Sequence, residues 1–158
     1  MRLIELLTQE RVALRHNEDG ARSIDKAGVI HLLAEMLAAG SHVNTGEVER
    51  VLIEREQLQS TGIGEGVAIP HGALPQLQTQ YASLVIVPEG VDFAAIDGLR
   101  VTILFAVIGP KRATGEHLKT LARVSRLLRN KAFRDQLVTA GDARAAYDLI
   151  VAEEAERR

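Results

Sequence analysis

Arg55-Glu56-Gln57-Leu58-Gln59-Ser60-Thr61-Gly62-Ile63-Gly64-Glu65-Gly66-Val67-Ala68-Ile69-Pro70-His71-Gly72 is the stretch on which the reading of this chain turns. Its opening residues carry on a helical pattern, and the three alternating glycines then break it. Residues 67–69 are apolar but too few for more than a small strand. Pro70 has no N–H to give a ladder, so it must end that strand or sit at a sheet edge. A helix therefore gives way here to a strand, and the same alternation extends in both directions.

Upstream, Ser23 or Asp25 is placed to cap a helix that carries Val29, Leu32, Leu33, Met36 and Leu37 at helical spacing and ends at Gly40. Thr45 stands before Gly46-Glu47-Val48, with an acid in the first turn where the helix dipole is positive. Val48, Val51 and Leu52 form the stripe of this second helix, which runs to about Gln57. Nearer the amino terminus, Leu3, Leu6 and Leu7 suggest a short helix, and residues 11–15 an alternating strand.

Downstream, residues 81–87 and 101–107 are β-branched runs of strand length, the second apolar enough to be buried on both faces. Between them, Val91-Asp92-Phe93 reads as a short strand and Asp97-Gly98 as a tight turn. The last third is helical: Leu118, Leu121, Val124, Ser125 and Leu128 repeat at helical intervals, then Phe133 and Leu137, then residues 143–151. Residues 153–158 form a charged end expected to fray. The expectation is one α/β domain over residues 1–152 with a mostly buried central sheet, followed by that short end.

Composition removes several classes of function. A chain of 158 residues fits one domain, and 46% apolar content fills a core. The net charge of -2 gives no strong pull toward nucleic acid or anionic lipid. Three Phe, two Tyr and no Trp leave few platforms for stacking bases. The absence of cysteine excludes disulfides, thiolate nucleophiles and cysteine-held metals. No run approaches the roughly 18 apolar residues of a membrane span, and the amino terminus lacks a signal-peptide pattern. A cytoplasmic protein with no direct membrane insertion is expected.

Five histidines are the main catalytic candidates. His16 and His42 stand beside Asn17 and Asn44 in polar turns, a solvated setting. His31 and Glu35 share a helix face at i, i+4 spacing, but no third ligand accompanies them. His71 differs because proline pins the backbone on one side and glycine leaves it uncrowded on the other. An imidazole so placed suits nucleophilic work, although a loop histidine fits the same pattern. Gly62, Gly64 and Gly66 could bring backbone N–H groups near an anion, and Ser60 and Thr61 add hydroxyls. The glycine run is neither a dinucleotide fingerprint nor a P-loop.

The whole segment 55–72 closely resembles the enzyme IIA domains of the bacterial phosphoenolpyruvate-dependent phosphotransferase system. The likeness is to the fructose/mannitol superfamily, and most to its nitrogen-regulatory and fructose-type branches. Phe93-Ala94-Ala95-Ile96-Asp97-Gly98 resembles the family's segment before its central strand, and Glu116-His117-Leu118-Lys119-Thr120-Leu121 the opening of its next helix. The resemblance implies a mixed β-sheet flanked by helices, with His71 as phosphoacceptor in a shallow depression. It places His117 on the family's second histidine and Arg55 on the arginine beside the site. It implies a phosphotransferase component that needs no cofactor and no metal.

Phosphoryl transfer between histidines has a loose transition state, so positioning and fixed positive charge dominate. Arg55 offers a planar fork of donors, His117 a hydrogen bond to a phosphoryl oxygen, and Ser60, Thr61 and the backbone near Gly72 further contacts to phosphate. The implied partners are a histidine phosphocarrier protein as donor and, as acceptor, a regulatory target or a permease IIB domain. The chain departs from the family pattern at Gln59 and Ala73, and Glu65 brings an acid toward a site for a dianion. Three readings follow: a nitrogen-regulatory phosphocarrier, a IIA subunit feeding a fructose/mannitol-type permease, and a protein-binding module that no longer transfers phosphate. A hydrolase lacks a recognisable triad order.

Overall fold

A computed structural model describes residues 2–18, 20 and 22–157, so Met1 of the opening segment and Arg158 of the charged end lie outside the described residues. Short 3-10 turns at Leu3–Glu5 and Gln9–Arg11 lead into β1 (Val12–Leu14). Two helices follow, α1 (Lys26–Ser41) and α2 (Thr45–Leu58). Three short strands come next, β2 (Gly62–Gly64), β3 (Val67–Ala68) and β4 (His71–Leu74). Two long strands, β5 (Tyr81–Val91) and β6 (Val101–Pro110), precede α3 (Thr114–Leu127), α4 (Lys131–Val138) and α5 (Ala143–Glu156).

The strands make one six-stranded mixed sheet in the order β1-β5-β6-β3-β2, with β4 also paired to β6. β5 and β6 are antiparallel, whereas β1 joins β5, and β3 and β4 join β6, in parallel. β6 is buried on both faces, as its composition predicts. Leu104, Ala106 and Ile108 belong to the core under α1 and α2, and Ile103, Phe105 and Val107 to the core under α3, α4 and α5.

β3 and β4 lie one after the other along the same flank of β6, with Val67 opposite Ile103 and His71 opposite Val107. Ile69 and Pro70 bridge them, and the Pro70 carbonyl accepts the Val107 N–H at 2.9 Å. The outer flank of β4 carries no strand, so proline's missing donor costs no ladder bond there. His71 is thereby fixed where the sheet edge meets the layer of α3.

The glycine run corrects one expectation. Gly62 and Gly64 form β2, which turns back on β3 through Glu65 (φ 60°) and Gly66 (φ 79°). Two consecutive positive φ angles match the right-handed twist of a tight hairpin, and glycine adopts the second without steric cost while Glu65 takes the first. The Gly66 carbonyl then receives the N–H groups of Thr102 and Ile103. The glycines build a hairpin on β6 and not an anion cradle. Glu65 rides at its tip, 3.5 Å from the Arg134 guanidinium, and does not line the depression around His71.

Three helix boundaries also differ. α1 is capped by Asp25, which accepts from the Gly28 N–H at 2.8 Å, but it does not end at Gly40. A Cβ at Gly40 would meet the Arg11 guanidinium at 2.2 Å, so this glycine makes room for a side chain. The left-handed cap falls to His42 at φ 63°. Asn44, not Thr45, caps α2 by accepting from Gly46. At the other end α5 continues through Glu156 instead of fraying from Glu153. Glu154 is buried and accepts the N–H groups of Leu3 (2.6 Å) and Ile4 (3.0 Å), which ties the two ends of the fold together. Val91 closes β5, and no separate strand forms at Asp92-Phe93, while Gly98 does take the turn at φ 73°.

Candidate active site

His71 opens β4 and its ring is held from both nitrogens. Nδ1 lies 2.8 Å from the Ile69 carbonyl oxygen. A carbonyl can only accept, so Nδ1 carries the proton and donates it. Nε2 keeps its lone pair, which accepts from Nε–H of Arg55 at 3.2 Å. Arg55 is in turn held by Nη1–H donating to the Gln59 carbonyl at 2.8 Å, in the last turn of α2.

Burial lowers the His71 pKa most, and the Arg55 guanidinium lowers it further, against the opposing pull of the Ile69 hydrogen bond and the Glu56 charge. His71 is therefore neutral at neutral pH, with the nucleophilic nitrogen defined by its tautomer. His117 sits on the first turns of α3, its ring centre 5.6 Å from that of His71 and tilted by 53°. Burial, then the charge His71 would carry, lowers its pKa too. The structure thus brings together all three of His71, Arg55 and His117.

The depression beside His71 and Arg55 has a volume of about 430 Å³ and is open. Arg55, Ser60, Thr61 and His71 supply its polar side, and Ile63, Ile96 and Leu121 its apolar side. Ile63, Ile96 and Leu118 are exposed large apolar residues. Leu118 accordingly leaves the helical stripe expected of it and faces solvent, while Val124 and Leu127 bury α3.

The remaining candidates have structural employment. Thr61 is buried; its Oγ1–H donates to Glu56 at 2.6 Å and its N–H to the same carboxylate. Ser60 Oγ accepts the Gly62 N–H at 3.1 Å and donates to the Phe93 carbonyl at 3.3 Å. A Cβ on Gly72 would lie 2.9 Å from Cγ2 of Val51, so glycine there lets β4 press against α2. Ala73 follows, half-buried, on the same strand.

Glu56 is a residue that the sequence reading passed over. It is buried, pairs with Lys26 Nζ at 2.8 Å, and fastens the loop before the hairpin to the end of α2. Its signal was adjacency to Arg55 inside the decisive stretch. Among the described residues no group of three His, Asp or Glu is placed to hold a metal. No helix among them is long and apolar enough to cross a membrane. His31 contacts Glu35 at 3.4 Å and Glu49 at 3.0 Å, an exposed surface cluster.

The sequence model of the family described as "Phosphoenolpyruvate-dependent sugar phosphotransferase system, EIIA 2" matches residues 6–153. A nitrogen regulatory protein of Bradyrhizobium diazoefficiens is 40% identical over 118 residues, 72% of this chain and 77% of that protein. The fructose-specific EIIABC component of Bacillus subtilis is 30% identical over 151 residues, 95% of this chain but 23% of that longer protein. Among solved structures, the nitrogen regulatory protein IIA-Ntr of Neisseria meningitidis superimposes with a TM-score of 0.83 at 30% identity, covering 94% of this chain and 98% of that one.

Proposed function

The chain belongs to the EIIA 2 family of the phosphoenolpyruvate-dependent sugar phosphotransferase system, a phosphotransferase component, and we propose that it relays phosphate through Nε2 of His71. The observation that carries this is the Nδ1–H bond to the Ile69 carbonyl, which leaves Nε2 as the nitrogen with a free electron pair. Nε2 attacks phosphorus in line as the N–P bond to the donor histidine breaks, and the donor nitrogen leaves with that electron pair. The Nδ1 proton stays in place, so the phosphorylated ring gains positive charge that the Ile69 carbonyl stabilises. Arg55 trades the Nε2 lone pair for the equatorial oxygens, and a proton on His117 supports the same dianion. Ser60, Thr61 and the backbone at Gly72 shape the pocket and supply its weaker contacts.

The donor is a histidine phosphocarrier protein, docking on the exposed Ile63, Ile96 and Leu118 beside the depression. Similarity to nitrogen regulatory proteins favours a cytoplasmic regulator whose phosphorylation state is read by a target protein. The match to the fructose component over nearly the whole chain supports a second reading, delivery to a permease IIB domain. Incubation with phosphoenolpyruvate, enzyme I and phosphocarrier protein, read by intact mass at alkaline pH, tests the site. One acid-labile phosphoryl group is expected, on Nε2 by nitrogen–phosphorus NMR couplings, and none on His71→Ala. Uptake that survives in His71→Ala would refute the assignment, and adding a fructose-type IIB domain separates relay to a permease from regulation.

A further inference from the structure

Behind the reacting pair, two polar atoms are buried without a partner: Nδ1 of His117 and Oε1 of Gln80. They belong to the same spot. Gln80 immediately precedes β5, and the β5–β6 register, with Tyr81 opposite Ile108, sets it across from Gly109. A Cβ placed on Gly109 would lie 3.1 Å from Cγ of Gln80 and 3.4 Å from Nδ1 of His117. The glutamine chain and the imidazole thus both lie against the same bare stretch of backbone. Gln80 is only 4% exposed, unusual for a glutamine without a hydrogen bond to its buried oxygen.

The two orphans are complementary. An amide oxygen only accepts, and an imidazole Nδ1 that carries hydrogen donates. Leaving either unpaired is costly, and a rotation of the terminal amide or one bridging water would satisfy both. We propose that Gln80 is the positioning residue of His117: its Oε1 accepts Nδ1–H, fixes that tautomer, and leaves Nε2 of His117 to face the phosphoryl group. In the neutral ring Nε2 holds the lone pair. When a dianion arrives on His71, Nε2 takes a proton from solvent and donates it to a phosphoryl oxygen, while Gln80 holds the opposite end of the imidazolium. The absence of a side chain at Gly109 leaves room for this contact, since a Cβ there would press on Cγ of Gln80 at 3.1 Å.

The catalytic half of this inference rests on His71 being the phosphoacceptor, but the tautomer does not. Nitrogen-15 NMR of the histidine rings in the unphosphorylated protein reads it directly. The expected result is an Nδ1–H tautomer for His117 in the wild type, which Gln80→Leu shifts toward Nε2–H and Gln80→Glu restores. Phosphate uptake slows about tenfold in Gln80→Leu, the worth of one neutral hydrogen bond, and recovers in Gln80→Glu. An Nε2–H tautomer in the wild type overturns the proposal with no variant needed, even if Gln80→Leu does not fold. A tautomer unchanged in folded Gln80→Leu overturns it as well. In either case phosphorylation of His71 stands untouched, so the two assignments fail separately.

Discussion

β6 and β4 are hydrogen-bonded neighbours, yet they are built on opposite principles. Along β6 every residue but Thr102 is buried, and the residues on each face do the same kind of work, filling space against a helical layer. Along β4 three of the four residues each have a private reason. His71 needs the Ile69 carbonyl and Arg55, Gly72 needs the absence of a Cβ beside Val51, and Leu74 fills the core. Stability is thus spread over many equivalent contacts in the central strand, while the proposed chemistry rests on a few singular ones at its flank.

The sharpest test of that division is Phe105→Ala, which should cost about 3–5 kcal/mol in urea unfolding because a fully buried ring is replaced by a cavity. A loss near zero would mean that β6 is not the stabilising centre. Gly72→Ala should cost less, about 1–3 kcal/mol, through the collision with Val51. Adding Val51→Ala should recover part of it, a non-additivity measurable in a double-mutant cycle. An additive pair would show that Gly72 is glycine for some other reason.

The smallest stability effect is expected at His71. His71→Gln should change unfolding free energy by less than about 0.5 kcal/mol near pH 7.5 while abolishing phosphate uptake. A pH series separates the two roles further. Because both His71 and His117 have lowered pKa values, the unfolded chain takes up protons first as pH falls below about 6.5. Their contribution to stability is full above that pH and is lost on descent toward the folded-state values. Melting temperatures of the variant lacking both imidazoles should therefore decline less between pH 7 and pH 5, and an unchanged slope would remove burial as the cause.

Periodicity made the central strands and the helices legible, because residues 101–107 and the stripe of Val29, Leu33 and Leu37 bury what their spacing says. It did not disclose partners. Gly40 looked like a helix end because sequence alone does not show Arg11 lying against it. The glycines 62, 64 and 66 looked like an approach to an anion because a tight hairpin and an anion loop ask for the same residue. Leu118 fitted the helical stripe by number but points to solvent. The buried polar residues Gln80 and Glu154 were invisible for a related reason: each answers to a residue distant in sequence or to a backbone group, and no local pattern marks them, while Glu56 had only its place beside Arg55. At the site, Pro70 and Gly72 singled out His71, and the family likeness added Arg55 and His117. Only the positions of the Ile69 carbonyl and the Arg55 Nε–H distinguish one ring nitrogen from the other.

Two imidazoles with centres 5.6 Å apart, one of them lining an open depression, would elsewhere invite zinc or copper. Here the guanidinium of Arg55 occupies the Nε2 lone pair of His71, one of the two that such an ion would seek, and the nearby buried acid, Glu56, is committed to Lys26 and Thr61. A metal would have to displace a fixed cation and would find no third ligand waiting. On the proposed reading, the contact that readies the pocket for a dianion therefore also disfavours a competing cation at the same nitrogen.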